Sequence, residues 1–341
     1  MLIAGDIGGT KTDLAIYSSE GGPHAPLAQT QVKSADYPSL QAIVEEFLAG
    51  EKLEADVGCF DVAGPVIEGR VKTTNLPWEM EEGALARALG LKSVHLMNDL
   101  EAVARAVPIL RPQDLVTLSE GRAAERGAIA VVAPGTGLGE SFLAWSGAGY
   151  QAHSSEGGHS DFAPTDARQI GLLQYLLERF DHVGFERVCS GIGIPNVYEY
   201  LRDRENIPES PAVAAAIAAA PDRTKAICDA ALDPRHPSAL CRATIETVVS
   251  ILGSEAGNLG LKVLATGGVY LAGGISLRLL EPIREPRFLE AFRRKGRFRD
   301  LMTRMPVHVI TTRAAMTGAA AYGLERLRDA NAGPRPGRMS S

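Results

Sequence analysis

Two glycine-rich turns carry the first chemical signal in this chain. Asp6-Ile7-Gly8-Gly9-Thr10-Lys11-Thr12 follows one apolar run, preceded by Gly5, and Gly135-Thr136-Gly137-Leu138-Gly139 follows another. Glycine permits positive φ and lacks the Cβ that would block an anion, so successive N–H groups can converge on a phosphate. Thr10 and Thr12 can add hydroxyl donors. Asp6 beside such a turn would repel phosphate unless a cation intervened, which suits Mg²⁺ held directly or through water. Each turn alone is equally a tight hairpin; two at matching places favour phosphate. A third glycine cluster at 267–275 brackets a short apolar run. Gly273 and Gly274 there either make a tight strand-to-helix turn or let an adenosine moiety lie against the backbone.

A second group of residues could handle a polyhydroxylated acceptor. Asn98 and Glu101 have the spacing of a helix capping box, while Asp99 could accept a proton from a substrate hydroxyl. The two readings are compatible, because Asn98 can cap while Asp99 projects. Glu156-Gly157-Gly158-His159 offers a carboxylate acceptor and a ring N–H around two glycines, or else a solvated loop. Glu186, in Glu186-Arg187-Val188-Cys189-Ser190-Gly191, reads by pattern alone as half of a surface ion pair. Other nucleotide signatures are missing from the sequence. It has no G-x-x-x-x-G-K-[ST] loop, and Glu140 stands where a dinucleotide fingerprint would need its third glycine.

Positioning these residues requires strands that end at the turns. Apolar runs at 2–6 and 12–17 flank the first turn, with a further strand at 27–32. Helical spacing follows at 39–48, then a strand at 57–62, a helix at 82–89, a strand at 93–97 and a helix at 100–110. The second half restarts in the same way: strand 127–133, glycine turn, strand 140–145. Helices are predicted at 169–179, 211–220 and 239–259, with strand 269–272, helix 290–294, strand 307–311 and helix 315–327. Residues 331–341 are rich in Gly, Pro, Arg and Ser and are expected to be disordered. The recurrence of strand, glycine turn and returning strand in both halves predicts a duplicated architecture that points two turns at one cleft.

A length of 341 residues favours two domains. The 41 acidic and 35 basic residues give a net charge of -6, which argues against nucleic acid or an anionic membrane as a bulk partner. The N-terminus lacks a basic signal-peptide region, and no apolar stretch approaches a membrane span. Four cysteines without C-x-x-C spacing fit reduced thiols in a cytoplasmic protein.

Taken together, the motifs resemble the bacterial glucokinases of the hexokinase, actin and Hsp70 ATPase superfamily, from end to end. The matching series is Gly5-Asp6-Ile7-Gly8-Gly9-Thr10, Thr74-Asn75-Leu76-Pro77-Trp78, Asn98-Asp99, the turn 135–139, Glu156-Gly157-Gly158-His159-Ser160-Asp161-Phe162, Glu186-Arg187-Val188-Cys189-Ser190-Gly191 and Lys295-Gly296-Arg297-Phe298. The resemblance implies a duplicated ribonuclease-H-like α/β fold: a small domain over 1–110 completed by helix 313–328, a large domain over 111–312, and a cleft between them. It implies ATP-dependent phosphorylation of glucose, with Asp99 as catalytic base and Asn98, Asp99, Glu156, His159 and Glu186 as glucose ligands. Residues 5–10 and 135–139 correspond to ATP phosphate loops. A homodimer is usual in such a family. Lys11, Pro134 and Ser155 depart from common family residues without removing a catalytic group. The cysteine-rich zinc motif of the related ROK kinases is replaced here by Asp161-Phe162-Ala163-Pro164. Kinases of other hexoses, a non-catalytic sugar-binding regulator and an actin-like or chaperone-like ATPase stand as alternatives.

Overall fold

The computed structural model describes residues 1–73 and 76–332. The chain divides into two compact units: Met1–Leu110 together with the segment from Arg313 onward, and Arg111–Thr312.

In the first unit, β1 (Leu2–Ile7), β2 (Lys11–Tyr17) and β3 (Ala28–Lys33) form an antiparallel meander. Helix α1 (Leu40–Glu51) begins where Ser39 Oγ accepts the Ala42 N–H at 3.3 Å, and it buries Leu40, Ile43, Val44 and Phe47. Next come β4 (Val57–Val62), a small hairpin of β5 (Arg70–Lys72) and β6 (Glu79–Glu81), α2 (Glu82–Leu89), β7 (Ser93–Asn98) and α3 (Asp99–Ala106). The sheet order is β3-β2-β1-β4-β7, with β1, β4 and β7 parallel. β4 is buried along its whole length, as a strand covered on both faces must be. One apolar cluster includes Ile3, Phe60 and Phe47 from α1; another joins Leu2, Cys59 and Met97 to Leu324 and Leu327 of the terminal helix, Ala314–Ala332.

The second unit repeats this plan. After β8 (Leu115–Ser119) come β9 (Ile129–Pro134), β10 (Leu138–Trp145) and β11 (Tyr150–Ser155), again an antiparallel meander. Helices α4 (Ala167–Leu177), α5 (Gly193–Asp203), α6 (Pro211–Ala219), α7 (Arg223–Leu232) and α8 (Ala239–Lys262) follow. The chain continues through β12 (Gly268–Leu271), α9 (Gly273–Arg278), α10 (Leu280–Arg284), α11 (Pro286–Arg293), α12 (Arg299–Arg304) and β13 (Val307–Ile310). The order β11-β10-β9-β12-β13 matches that of the first unit, strand for strand and sense for sense, with β8 added antiparallel at the edge. Helix α8 is buried on most sides, which explains why apolar and small residues surround it rather than forming a single stripe. This is the duplicated ribonuclease-H-like fold of the actin-like ATPases.

Several elements differ from the sequence reading. The helix expected over 100–110 stops at Ala106 and gives way to a 3₁₀ turn, Val107–Ile109, because Pro108 has no N–H to continue the ladder. Strands β5, β6, β8 and β11 are additional, and the terminal helix runs through Ala332. The rest of the predicted disordered tail, 333–341, lies outside the described residues, as do Thr74 and Asn75.

Candidate active site

In the first unit the turn between β1 and β2 is closed by the Gly8 N–H donating to the Lys11 carbonyl at 3.0 Å. Ser34 Oγ donates to the Gly8 carbonyl at 2.7 Å and lies 3.0 Å from Thr12 Oγ1. Thr12 is fully buried, so its hydroxyl braces the turn from behind rather than facing a ligand as the sequence suggested. Thr10 is exposed. Asp6 ends β1 beside the turn. Burial and the charge of Asp13 raise its carboxyl above the usual range, while a hydrogen bond with Asp61 and the charge of Arg313 oppose the rise.

Asn98 and Asp99 stand where β7 passes into α3. Asn98 Oδ1 accepts from the N–H groups of Leu100 and Glu101, at 2.9 and 3.3 Å, and its Nδ2 donates to the Gly64 carbonyl at 3.1 Å. The reciprocal half of a capping box is replaced: Glu101 Oε1 accepts from Arg105 at 2.7 and 2.9 Å. With Asn98 doing the capping, Asp99 keeps a partly exposed carboxylate whose Oδ1 accepts the Leu100 N–H at 2.9 Å. Burial pushes the Asp99 carboxyl up to about 6; the Leu100 N–H restrains the rise and the Asp6 charge adds to it. A half-buried carboxyl poised near neutrality is a suitable general base.

The sequence reading passed over a third carboxyl in this group. Asp61 pairs with Asp6 across the parallel β1–β4 register and is 0% exposed. Neither of its oxygens finds an N–H or hydroxyl donor. Burial, then the charges of Asp6 and Asp99, push it well above the ordinary range, so it stays protonated and can donate to Asp6. Its only sequence signal is a charged residue inside the otherwise apolar run Val57–Val62.

In the second unit one constellation gathers the turn, the Glu156–His159 loop and Glu186. The Gly135 N–H donates to the Gly137 carbonyl at 2.8 Å, and the turn receives the N–H groups of Gly191 and Ile192 at 2.8 and 3.0 Å. Glu186 Oε2 accepts the Leu138 N–H at 3.1 Å. A side chain at Gly137 would collide with this carboxylate, which is why glycine stands there. Glu186 is therefore not a surface ion-pair residue; its Oε2 is fixed against the second glycine turn. The Phe185 N–H donates to the Ser160 carbonyl at 3.1 Å, strapping this segment to the loop. Glu156 and His159 are exposed, with His159 Nε2 4.0 Å from Glu156 Oε2.

A cavity of about 790 Å³ opens beside the turn and is lined by Gly135, Thr136, Gly191, Ile192, Thr224 and Gly274 among others. No atom lies within 4 Å of where a Cβ would stand on Gly135 or Gly274, so both bare backbones face open space. Gly273 packs its Cα against the Pro134 carbonyl and ties α9 to the turn. Apolar Ile192, Pro195 and Ile275 suit one face of a purine, and Arg278 and Lys225 share Asp229 at the rim. Among the described residues no group of three His, Cys, Asp or Glu side chains converges on a metal position. Mg²⁺ commonly needs only one or two carboxylates plus phosphate and water, so Asp6 beside the turn fits that ion.

A duplicated actin-like fold, with a half-buried carboxylate at a strand-to-helix junction in one unit and a glycine turn beside an open cavity in the other, is the arrangement expected of a sugar kinase of the hexokinase class. A family model described as Glucokinase matches residues 3–326. The chain is 39% identical to a glucokinase of Nostoc punctiforme over 336 residues, covering 94% of this chain and 98% of that one. It is 35% identical to a glucokinase of Synechocystis, covering 93% and 96%. A crystal structure of glucokinase from an Antarctic psychrotroph superposes with a TM-score of 0.83 at 30% identity, over 95% of this chain and 98% of that one. This chain belongs to the glucokinase family. A glucokinase of Balamuthia mandrillaris solved with glucose shares the fold, with a TM-score of 0.75 at 20% identity, over 95% and 93% of the two chains.

Proposed function

We propose that this protein transfers the γ-phosphoryl group of ATP to the 6-hydroxyl of glucose, giving glucose 6-phosphate and ADP, with Asp99 as the base. The observation that carries the reading is the Asp99 carboxylate, half-buried at the start of α3 and pushed up to about 6. The two units act as the small domain (1–110 with 313–328) and the large domain (111–312) of one kinase.

Glucose hydroxyls are held by residues with spare valence. Asn98 has one amide N–H left after Gly64, and Glu186 has Oε1 free of the Leu138 contact. Glu156 and His159 supply an acceptor and a donor from their exposed loop. Asp99 orients the 6-hydroxyl and takes its proton as that oxygen bonds to the γ-phosphorus and the bond to the ADP oxygen breaks. The two glycine turns, 5–10 and 135–139, receive the phosphate oxygens through N–H groups other than those of Gly8, Gly135 and Leu138, which are already spent within the protein, and the adenosine occupies the cavity beside Gly273 and Gly274. Asp6 would hold Mg²⁺, directly or through water, and the ion supplies charge neutralisation for the phosphates. We read the protein as a cytoplasmic homodimer from the usual state of its family; light scattering would test the dimer. Among the described residues no helix is long and apolar enough to cross a membrane.

Isothermal titration with glucose, mannose, fructose and N-acetylglucosamine, beside an ADP-release assay with each, tests the substrate. Glucose should bind and give the highest kcat/KM. A higher kcat/KM for another hexose would overturn the assignment.

A further inference from the structure

Glu140 follows the second glycine turn directly and is 2% exposed, and Glu255 of α8 is 0% exposed. Neither oxygen of Glu140 finds an N–H or hydroxyl donor, and Glu255 Oε1 has only Lys262 Nζ, 3.8 Å away. The remaining Glu255 oxygen, Oε2, accepts from Asn258 Nδ2 at 2.8 Å. Asn258 Oδ1 in turn accepts from Lys295 Nζ at 2.7 Å, and Lys295 also donates to the Ser254 carbonyl and hydroxyl at 2.8 and 3.2 Å. The lysine of the Lys295-Gly296-Arg297-Phe298 motif thus anchors one end of a buried polar chain. The other end lies beneath the sugar-binding loop. Glu140 is the register partner of Ser155, and its carboxyl fills the space where Gly157 would carry a side chain. Gly158 presses on the Leu138 carbonyl in the same way. The two glycines between Glu156 and His159 are there because β10 and the Glu140 carboxyl leave no room for a Cβ.

Resting on the glucokinase reading, we propose that Glu140 is a positioning residue: it and Glu255 share one proton, and this singly charged, hydrogen-bonded bridge holds the Glu156–His159 loop in its glucose-binding form. A buried carboxyl with no N–H or hydroxyl donor, set beside a second buried carboxylate, is compatible with that neighbour only if one of the two is protonated. Burial and the Glu255 charge push Glu140 up to about 8, and its hydrogen bond to Glu255 makes it the donor. The other ionisable groups facing the pair are Lys262 and, through Glu255, Lys295, together with Cys189 from the neighbouring segment. Above the Glu140 value both carboxyls ionise and repel directly under Gly157, and the loop loses its support.

The test is glucose binding by calorimetry without nucleotide, at pH 7 and pH 9. If only the protonated pair supports the loop, and Glu140 titrates near 8, the wild-type Kd rises about tenfold between these values. In Glu140→Gln the amide keeps a donor at every pH, so the ratio of the two Kd values falls to about one. Glu255→Gln makes the same test from the other side should the first variant not fold. In Glu140→Ala the glucose KM rises while the ATP KM stays within about twofold, a split that general destabilisation would not give. An unchanged wild-type Kd at pH 9, or an alkaline rise that persists in both Gln variants, overturns the proposal. Absence of glucose binding by the wild type at pH 7 would instead overturn the glucokinase reading itself.

Discussion

Replacing Asp99 by Asn should move activity and stability in opposite directions. Asn preserves the shape and can still hydrogen-bond a sugar hydroxyl, but it cannot take a proton. A positioned base contributes about 10²–10⁴-fold, so kcat should fall by that factor while the glucose Kd changes only a few-fold. The stability effect follows from the raised carboxyl. A carboxyl whose folded value lies above its unfolded one contributes its stability in full below the unfolded value. That stability is then lost as pH rises through the folded value, here from 3.8 to about 6. At about 1.4 kcal/mol per unit the cost at pH 7.5 is at most about 3 kcal/mol, and about 1–3 kcal/mol once partial exposure is allowed for. Asp99→Asn should therefore be more stable than wild type at pH 7.5, with the difference vanishing by pH 4. Urea unfolding at the two pH values, beside a coupled assay, measures both. In the wild type kcat/KM should also fall about tenfold per pH unit below 6. A variant with kcat within tenfold of wild type, or one that is less stable at pH 7.5 and equally so at pH 4, refutes the reasoning.

Two further substitutions probe the surroundings. Asp61→Asn removes a buried carboxyl held well above its ordinary value, so the variant's Tm should exceed the wild type's by more at pH 8 than at pH 5; an equal gain at both would mean Asp61 is not perturbed by burial. Gly274→Val fills open space in the cavity beside the second turn and should raise the ATP KM about tenfold or more, leaving glucose binding alone; a glucose-specific defect would displace the nucleotide from that cavity.

What could be read from the chain beforehand was local. The strand–glycine–strand pattern around Gly8 and Gly135, and the Asn98 cap at a strand-to-helix junction, are set by neighbours within a few residues, and the structure has these features. Strand β11, Tyr150–Ser155, was missed because its residues are polar on both faces and lack a β-branched run. Contacts between distant residues were also out of reach. Nothing near Thr12 indicates that Ser34 will claim its hydroxyl, and nothing near Glu186 indicates the Leu138 N–H, 48 residues away. Asp61 and Glu140 look ordinary until burial shows that each must share or keep a proton. The Lys295 motif was conspicuous by resemblance, yet only the fold shows that its ammonium ends at Ser254 and Asn258 of α8.

Following a reaction of protein, Mg²⁺, ATP and glucose by ³¹P and ¹³C nuclear magnetic resonance tests the catalytic claim most directly. One phosphomonoester on carbon 6 should appear for each ADP formed, and omitting glucose should leave ATP intact. ATP hydrolysis at the same rate without sugar, or phosphate on another carbon, would contradict the proposed transfer to the 6-hydroxyl with Asp99 as its base.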